Sequence, residues 1–127
     1  MIIGIGLDVV EISRINKLLE RFGERFVQKI LTKKERESIF KKKDLKNFIA
    51  SNFAGKEALS KALGLGLVSP VTLQNISVMR NEQGAPQFEF NGTLQNYISS
   101  RKINHCHISI SHDKGVACAM VVLESLF

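Results

Sequence analysis

The sequence predicts an α+β fold, a small antiparallel sheet packed with helices, in a single domain covering residues 1–127. Three observations lead there. A short β-prone run opens the chain, apolar residues then recur at helical spacing as far as Leu63, and from Asn75 the pattern changes to period two with one helix interposed. At 127 residues the chain is long enough for a real core and too short for two domains of ordinary size.

The opening run is Ile2, Ile3, Ile5, Leu7, Val9 and Val10, interrupted by Gly4 and Gly6. Glycine weakens a strand interior, so this pair marks a place where something approaches the backbone closely. Ile12, Ile15, Leu18, Leu19 and Phe22 then form the apolar stripe of a helix that stops near Gly23. A shorter helical piece around Phe26 and Ile30 leads to Thr32-Lys33-Lys34-Glu35, a capping box that should open another helix. That helix runs into Lys41-Lys42-Lys43, after which Asp44 can cap the longest helix, ended by Gly64 and Gly66. Ser69-Pro70 reads as loop. Ile76/Val78 and Phe88/Phe90 flank Asn81-Glu82-Gln83-Gly84 as a hairpin. Asn91-Gly92 breaks its second strand, and Thr93 is expected to cap a short helix through Leu94, Tyr97 and Ile98. Cys106, Ile108 and Ile110 alternate with His107, Ser109 and Ser111, a strand with one dry and one polar face. Asp113-Lys114-Gly115 turns it into the last strand, Val116 to Leu123.

Hydrophobic content of 44% against 24% charged argues against wholesale disorder. The net charge of +6 favours an acidic partner: nucleic acid, an anionic membrane, a phosphorylated ligand or an acidic protein. With no Trp, one Tyr and phenylalanines mostly at core-periodic positions, a stacking platform for nucleic acid is not evident. An RNA- or DNA-binding module therefore rests on charge alone. Cys106 and Cys118 form no secreted-type framework, and the start carries Asp8 without a basic n-region, so it reads as a buried strand and not a signal peptide. No stretch approaches the length of a membrane span. A reduced cytoplasmic setting is expected.

Phe48, Gly55, Leu59, Ala62 and Leu63 gather on one side of the long helix, while Glu57 points the other way among Ala50, Phe53 and Ala54. A helix apolar nearly all round is buried, and a buried carboxylate needs a cation or several donors. Lys61, at i+4, is one candidate and a metal ion another; the plain alternative is an i, i+4 ion pair on a solvated face. Asp8 is open in the same way. Asp8-Val9-Val10-Glu11 matches a helix N-cap with glutamate at the third position, and a cap leaves one carboxylate oxygen free for a ligand. Two carboxylates from separate elements suit Mg²⁺, which fills its other positions with water and substrate phosphate. Lys61 could hold a phosphate or take a proton. Paired acids with a lysine would equally serve a Mg²⁺-dependent nuclease, the rival enzyme class.

Ser109-Ile110-Ser111-His112-Asp113 ends a strand, where adjacent residues face opposite ways and cannot line up as a proton-relay triad. His105, His107 and a cysteine lack a second ligand pair at a recognised zinc spacing. Arg14, Lys17, Arg21 and Arg25 recur at spacings of three and four along the first helix. Glu11, Glu20 and Glu24 dilute this stripe; it is either a solvated face or a dock for an acidic partner.

Gly4-Ile5-Gly6-Leu7-Asp8 with Ile12 and Arg14, then Phe53-Ala54-Gly55-Lys56-Glu57-Ala58 with Lys61-Ala62 and Gly64-Leu65-Gly66, then Ile108-Ser109-Ile110-Ser111-His112, together resemble the holo-acyl-carrier-protein synthase family of stand-alone phosphopantetheinyl transferases. The blocks occur in the family's order and the likeness covers essentially the whole chain. The resemblance implies transfer of phosphopantetheine from coenzyme A to a serine of apo-acyl carrier protein, with release of adenosine 3',5'-bisphosphate, in fatty acid biosynthesis. It also implies dependence on Mg²⁺ and a homotrimer with active sites between subunits. By position, Asp8 and Glu57 match the metal ligands, and with Lys61, near the reacting phosphate, they form the catalytic set. Lys61, Gly64 and His112 match the coenzyme A contacts. Arg14 begins the helix facing the acidic carrier protein, with Lys17, Arg21 and Arg25 behind it. The family often has arginine before Phe53; Asn52 stands here, so a coenzyme A phosphate contact is missing or supplied by Lys41, Lys42 or Lys43.

Overall fold

A Cβ added at Gly6 would stand 1.8 Å from the carbonyl oxygen of Ala58, and one at Gly4 would stand 2.1 Å from that of Ala62. Only glycine lets two backbones come so close, and this contact seats the longest helix directly on the opening strand. The computed structural model describes residues 1–39 and 44–126. Its elements run β1 (Ile2–Glu11), α1 (Ile12–Phe22), α2 (Glu24–Ile30), α3 (Lys33–Ser38), α4 (Leu45–Ala62), β2 (Ile76–Arg80), β3 (Pro86–Phe90), α5 (Gly92–Ser100), β4 (His105–Asp113) and β5 (Val116–Glu124). The run Lys41-Lys42-Lys43 lies outside the described residues.

The strands form two antiparallel groups, a three-stranded sheet in the order β1-β5-β4 and the hairpin β2-β3. In the larger sheet Asp8 pairs with Ala119 and Ala119 with Ile110, while Val10 pairs with Ala117 and Ala117 with His112. Period two then sends Gly4, Gly6, Asp8, Val10, Ala117, Ala119, Val121, Leu123, Ile108, Ile110 and His112 to one face. That face packs on α4, where Gly55 meets Ile108 and Ile110, and Ala54, Ala58 and Leu59 are fully buried. Among the described residues no element covers the other face. Ile5, Leu7 and Val9 are 62%, 54% and 59% exposed on it, and Met120 is 46% exposed.

Several local expectations hold. Thr32 and Glu35 form the capping box at α3, and Asp44 accepts from the Asn47 amide at the start of α4. Asn81 accepts from Gln83 and Ala85 to shape the β2–β3 turn. Lys114 and Gly115, at φ 51° and 83°, give the two-residue turn between β4 and β5 the left-handed backbone that such hairpins require. Three details differ. The N-cap of α5 is Asn91 and not Thr93, because the helix already begins at Gly92. Arg25 belongs to α2, since the chain breaks at Gly23 with φ 55°. Asp8 caps no helix: β1 pairs with β5 as far as Glu11, which is itself the N-cap residue of α1.

Candidate active site

Sheet register and helix rotation bring Asp8 and Glu57 together. Asp8 is the next residue after Gly4 and Gly6 on the face that α4 covers, and Glu57 precedes Ala58, whose carbonyl abuts Gly6. The two carboxylates line one cleft of about 260 Å³ with Phe53 of α4, Arg14, Ile15 and Leu18 of α1, and Phe26 and Ile30 of α2. Glu57 is half-buried there rather than fully enclosed. Burial pushes its carboxyl above the ordinary value of 4.5, the Asp8 charge pushes it further, and Lys61 pulls it back.

Lys61 does not pair along its own helix with Glu57. Its ammonium reaches across to β1, donating to Asp8 Oδ1 at 3.0 Å and to the Leu7 carbonyl at 3.0 Å. The result is two carboxylates and one ammonium at a cleft mouth, a set that still has capacity for a cation. Among the described residues no group of three His, Cys, Asp or Glu side chains could hold a metal. A metal here would take two protein carboxylates, which fits Mg²⁺ better than zinc.

Other predicted site residues fall around this centre. Arg14, Lys17, Arg21 and Arg25 are all exposed, and Arg14 lies on the cleft rim. Arg21 stacks over the ring of Phe22, which is 44% exposed. His112 shares a sheet face with Asp8, but sits two strands across and two residues along, roughly 12 Å away by strand geometry. It opens on a separate groove of about 650 Å³ with Ser13, Asn16, Asp44, Lys46 and Lys114. Gly64 lies beyond the end of α4 at φ 79°, clear of the cleft. His107 bonds Glu124 on the uncovered sheet face, opposite to the inward Cys106, so no zinc site forms there. Burial pushes the Cys106 thiol up to about 11, and Cys106 and Cys118 face opposite sides of the sheet.

The charge that α4 buries completely is Lys56, next to Glu57. Lys56 and Glu35 are both wholly buried and lie 2.6 Å apart. Asn52 joins them, donating to Glu35 Oε2 at 2.6 Å. It is fully buried, so its side chain is a core element and not a coenzyme A contact. The signal was present in the sequence, because on the helical wheel Lys56 falls between Leu63 and Ile49, inside the apolar arc.

Residues 4–121 match the sequence model of the 4'-phosphopantetheinyl transferase superfamily. The chain belongs to this superfamily. It is 44% identical over 124 residues to the holo-[acyl-carrier-protein] synthase of Nitrosospira multiformis, covering 98% of this chain and 99% of that protein. Its fold matches the crystal structure of the holo-[acyl-carrier-protein] synthase of Neisseria meningitidis with a TM-score of 0.95 at 34% identity, covering 98% of this chain and all of the other. The Bacillus anthracis holo-(acyl-carrier-protein) synthase, solved in complex with coenzyme A (3',5'-ADP), matches with a TM-score of 0.83 at 38% identity, over 98% of each chain.

Proposed function

We infer that the chain transfers phosphopantetheine from coenzyme A to a serine hydroxyl of apo-acyl carrier protein, giving the holo form and adenosine 3',5'-bisphosphate. One observation carries this reading: two acids from different elements share a cleft whose rim is a basic helix. Mg²⁺ held by Asp8 and Glu57 would supply charge neutralisation at the pyrophosphate. The serine oxygen forms the new bond to the β-phosphorus, the bond from that phosphorus to the bridging oxygen breaks, and the leaving bisphosphate keeps the electron pair. The hydroxyl proton needs an acceptor. Lys61 is engaged as a donor to Asp8 and Leu7, which leaves Glu57 the better placed base, directly or through a water. Positioning and fixed charge do most of the remaining work in phosphoryl transfer.

The exposed arginines and Lys17 beside the cleft offer an acidic carrier protein a complementary face. His112, with Lys46 and Lys114 around its groove, is assigned to the coenzyme A phosphates, and Gly64 to its contacts beyond the end of α4. The uncovered face bearing Ile5, Leu7, Val9 and Met120 is assigned to contact between copies in a homotrimer. An active site shared between copies accounts for the separation of the His112 groove from the Asp8 cleft within one chain. Two free cysteines on opposite sheet faces suit the cytoplasm. The deciding experiment is mass spectrometry of apo-acyl carrier protein after incubation with this protein, coenzyme A and Mg²⁺. A gain of one phosphopantetheine arm is expected; an unchanged mass overturns the reading.

A further inference from the structure

We propose that Lys56, held by Glu35, is a positioning residue that sets the rotation of α4 so that Glu57 faces Asp8. This rests on the transferase reading of that cleft. The Lys56 ammonium donates to the Ile30 carbonyl at 2.6 Å, to Glu35 Oε1 at 2.6 Å and to the Leu73 carbonyl at 2.9 Å, which engages every proton it has. Glu35 in turn accepts from the Thr32 amide at 2.9 Å, from Asn52 at 2.6 Å and from the Val78 amide at 3.2 Å. One buried pair therefore ties α4 to the end of α2, the start of α3, the turn before β2, and β2 itself.

The placement of these ties matters more than their number. Ile30, whose carbonyl receives the ammonium, also lines the Asp8–Glu57 cleft, so the bond ties the cleft wall to α4. Lys56 and Glu57 are neighbours on a helix and point about 100° apart, so anchoring one fixes the direction of the other. Gly4 and Gly6 set how close α4 lies to β1, yet a glycine contact resists rotation of the helix weakly. The ammonium, seated among three oxygens, adds a directional constraint to the packing of Ile49, Gly55 and Leu59. Stability alone is a poor explanation for it, because a buried ion pair often contributes no more than well-packed apolar residues of similar volume. A support behind a metal ligand is a different matter, with typical losses of tenfold or more when it is removed.

The test uses the full chain carrying Lys56→Met, and separately the isosteric Glu35→Gln. Near-ultraviolet circular dichroism checks the fold, Mn²⁺ titration followed by electron paramagnetic resonance reads the acid pair directly, and steady-state kinetics separate kcat from the coenzyme A KM. The expected result for Lys56→Met is a native spectrum with Mn²⁺ affinity and kcat each down about tenfold, and a coenzyme A KM within about twofold. If Lys56→Met does not fold, Glu35→Gln decides by the same readouts, with a loss of about threefold or more expected. Folded protein that binds Mn²⁺ and turns over within about twofold of the parent overturns the proposal. The Mn²⁺ readout needs no transfer reaction, so the proposal and the transferase reading can fail separately.

Discussion

The ammonium of Lys61 lies 3.0 Å from Asp8 Oδ1, joining the fifth turn of α4 to the middle of β1 across the cleft. Helical spacing had suggested Glu57 as its partner. The lysine instead balances the carboxylate that faces Glu57, and its charge lowers the proton affinity of Glu57 from a distance. Lys61→Met should therefore move the acid limb of the kcat/KM pH profile to higher pH, since Glu57 loses the cation that favours its charged form. Turnover at the plateau should fall about a hundredfold, the scale for removing a fixed donor near developing charge. A variant with a parental pH profile would show that Lys61 and Glu57 are not coupled.

Glu57→Gln should abolish most turnover while stabilising the fold at neutral pH. Glu57 has a pKa above its ordinary 4.5, so the folded protein holds this proton more tightly than the unfolded chain does. Its contribution is fully favourable below the ordinary carboxylate range and is lost as pH rises through the raised value. Near pH 7 the ionised group is a net cost, which Gln removes; well below the ordinary carboxylate range both proteins carry a neutral side chain and the difference should vanish. Thermal unfolding with a chelator present, followed across that range, checks the sign. Asp8→Asn should also cost turnover, by about a hundredfold or more, with the spectrum of the folded protein retained.

Most of the fold was legible because its signals are local. The capping box at Thr32, the cap at Asp44 and the turn at Lys114-Gly115 each specify backbone within a few residues, and the structure has them. The paired glycines of β1 announced a close contact, though not which element made it. What stayed hidden depends on long-range pairing. Asp8 looked like a cap because Glu11 follows at the right spacing, but strand pairing to Val116 carries β1 past that point. Glu57 drew attention as the odd charge in an apolar helix, yet the fully buried charge is its neighbour Lys56, whose partner Glu35 lies 21 residues away in the chain. The acid pair could be suggested from two isolated carboxylates and from the resemblance, but its closeness could not be read, because no spacing rule connects residue 8 with residue 57.

Charge reversal on the basic rim should separate the two substrates. Arg14 and Arg21 are exposed on α1, and Arg14 borders the cleft. Arg14→Glu with Arg21→Glu should raise the carrier-protein KM about tenfold or more, since like charges face each other across the encounter. The coenzyme A KM should move much less, and added salt should shrink the gap between variant and parent. An unchanged carrier-protein KM would place the docking face elsewhere.

Gly6→Ala tests the seat of α4 on β1. The new methyl would stand 1.8 Å from the Ala58 carbonyl and 2.8 Å from the Ala62 amide nitrogen, both backbone atoms of the helix that cannot rotate away. The helix must move off the strand, at a cost of about 3 kcal/mol. Chemical denaturation should show it as a lower midpoint at unchanged slope. Activity should fall beyond the loss of folded protein, because the same shift separates Glu57 from Asp8.

The uncovered sheet face gives the last expectation. Leu7, 54% exposed, lies between Ile5 and Val9 and pairs with Met120, which is 46% exposed, so the apolar patch continues across β1 and β5. Soluble monomers seldom leave such a patch open. Asp8, the next residue along β1, faces the opposite way into the cleft. Leu7→Asp should put a charge into the contact between copies without touching the interior, since the side chain points away from α4. Sedimentation velocity should then report a monomer, against the trimer expected of the parent. Turnover should drop with assembly and recover as protein concentration rises, which a variant damaged only in its folding would not do. A parent protein that sediments as a monomer at micromolar concentration would remove the shared active site, and with it the reason for assigning His112 to the coenzyme A phosphates.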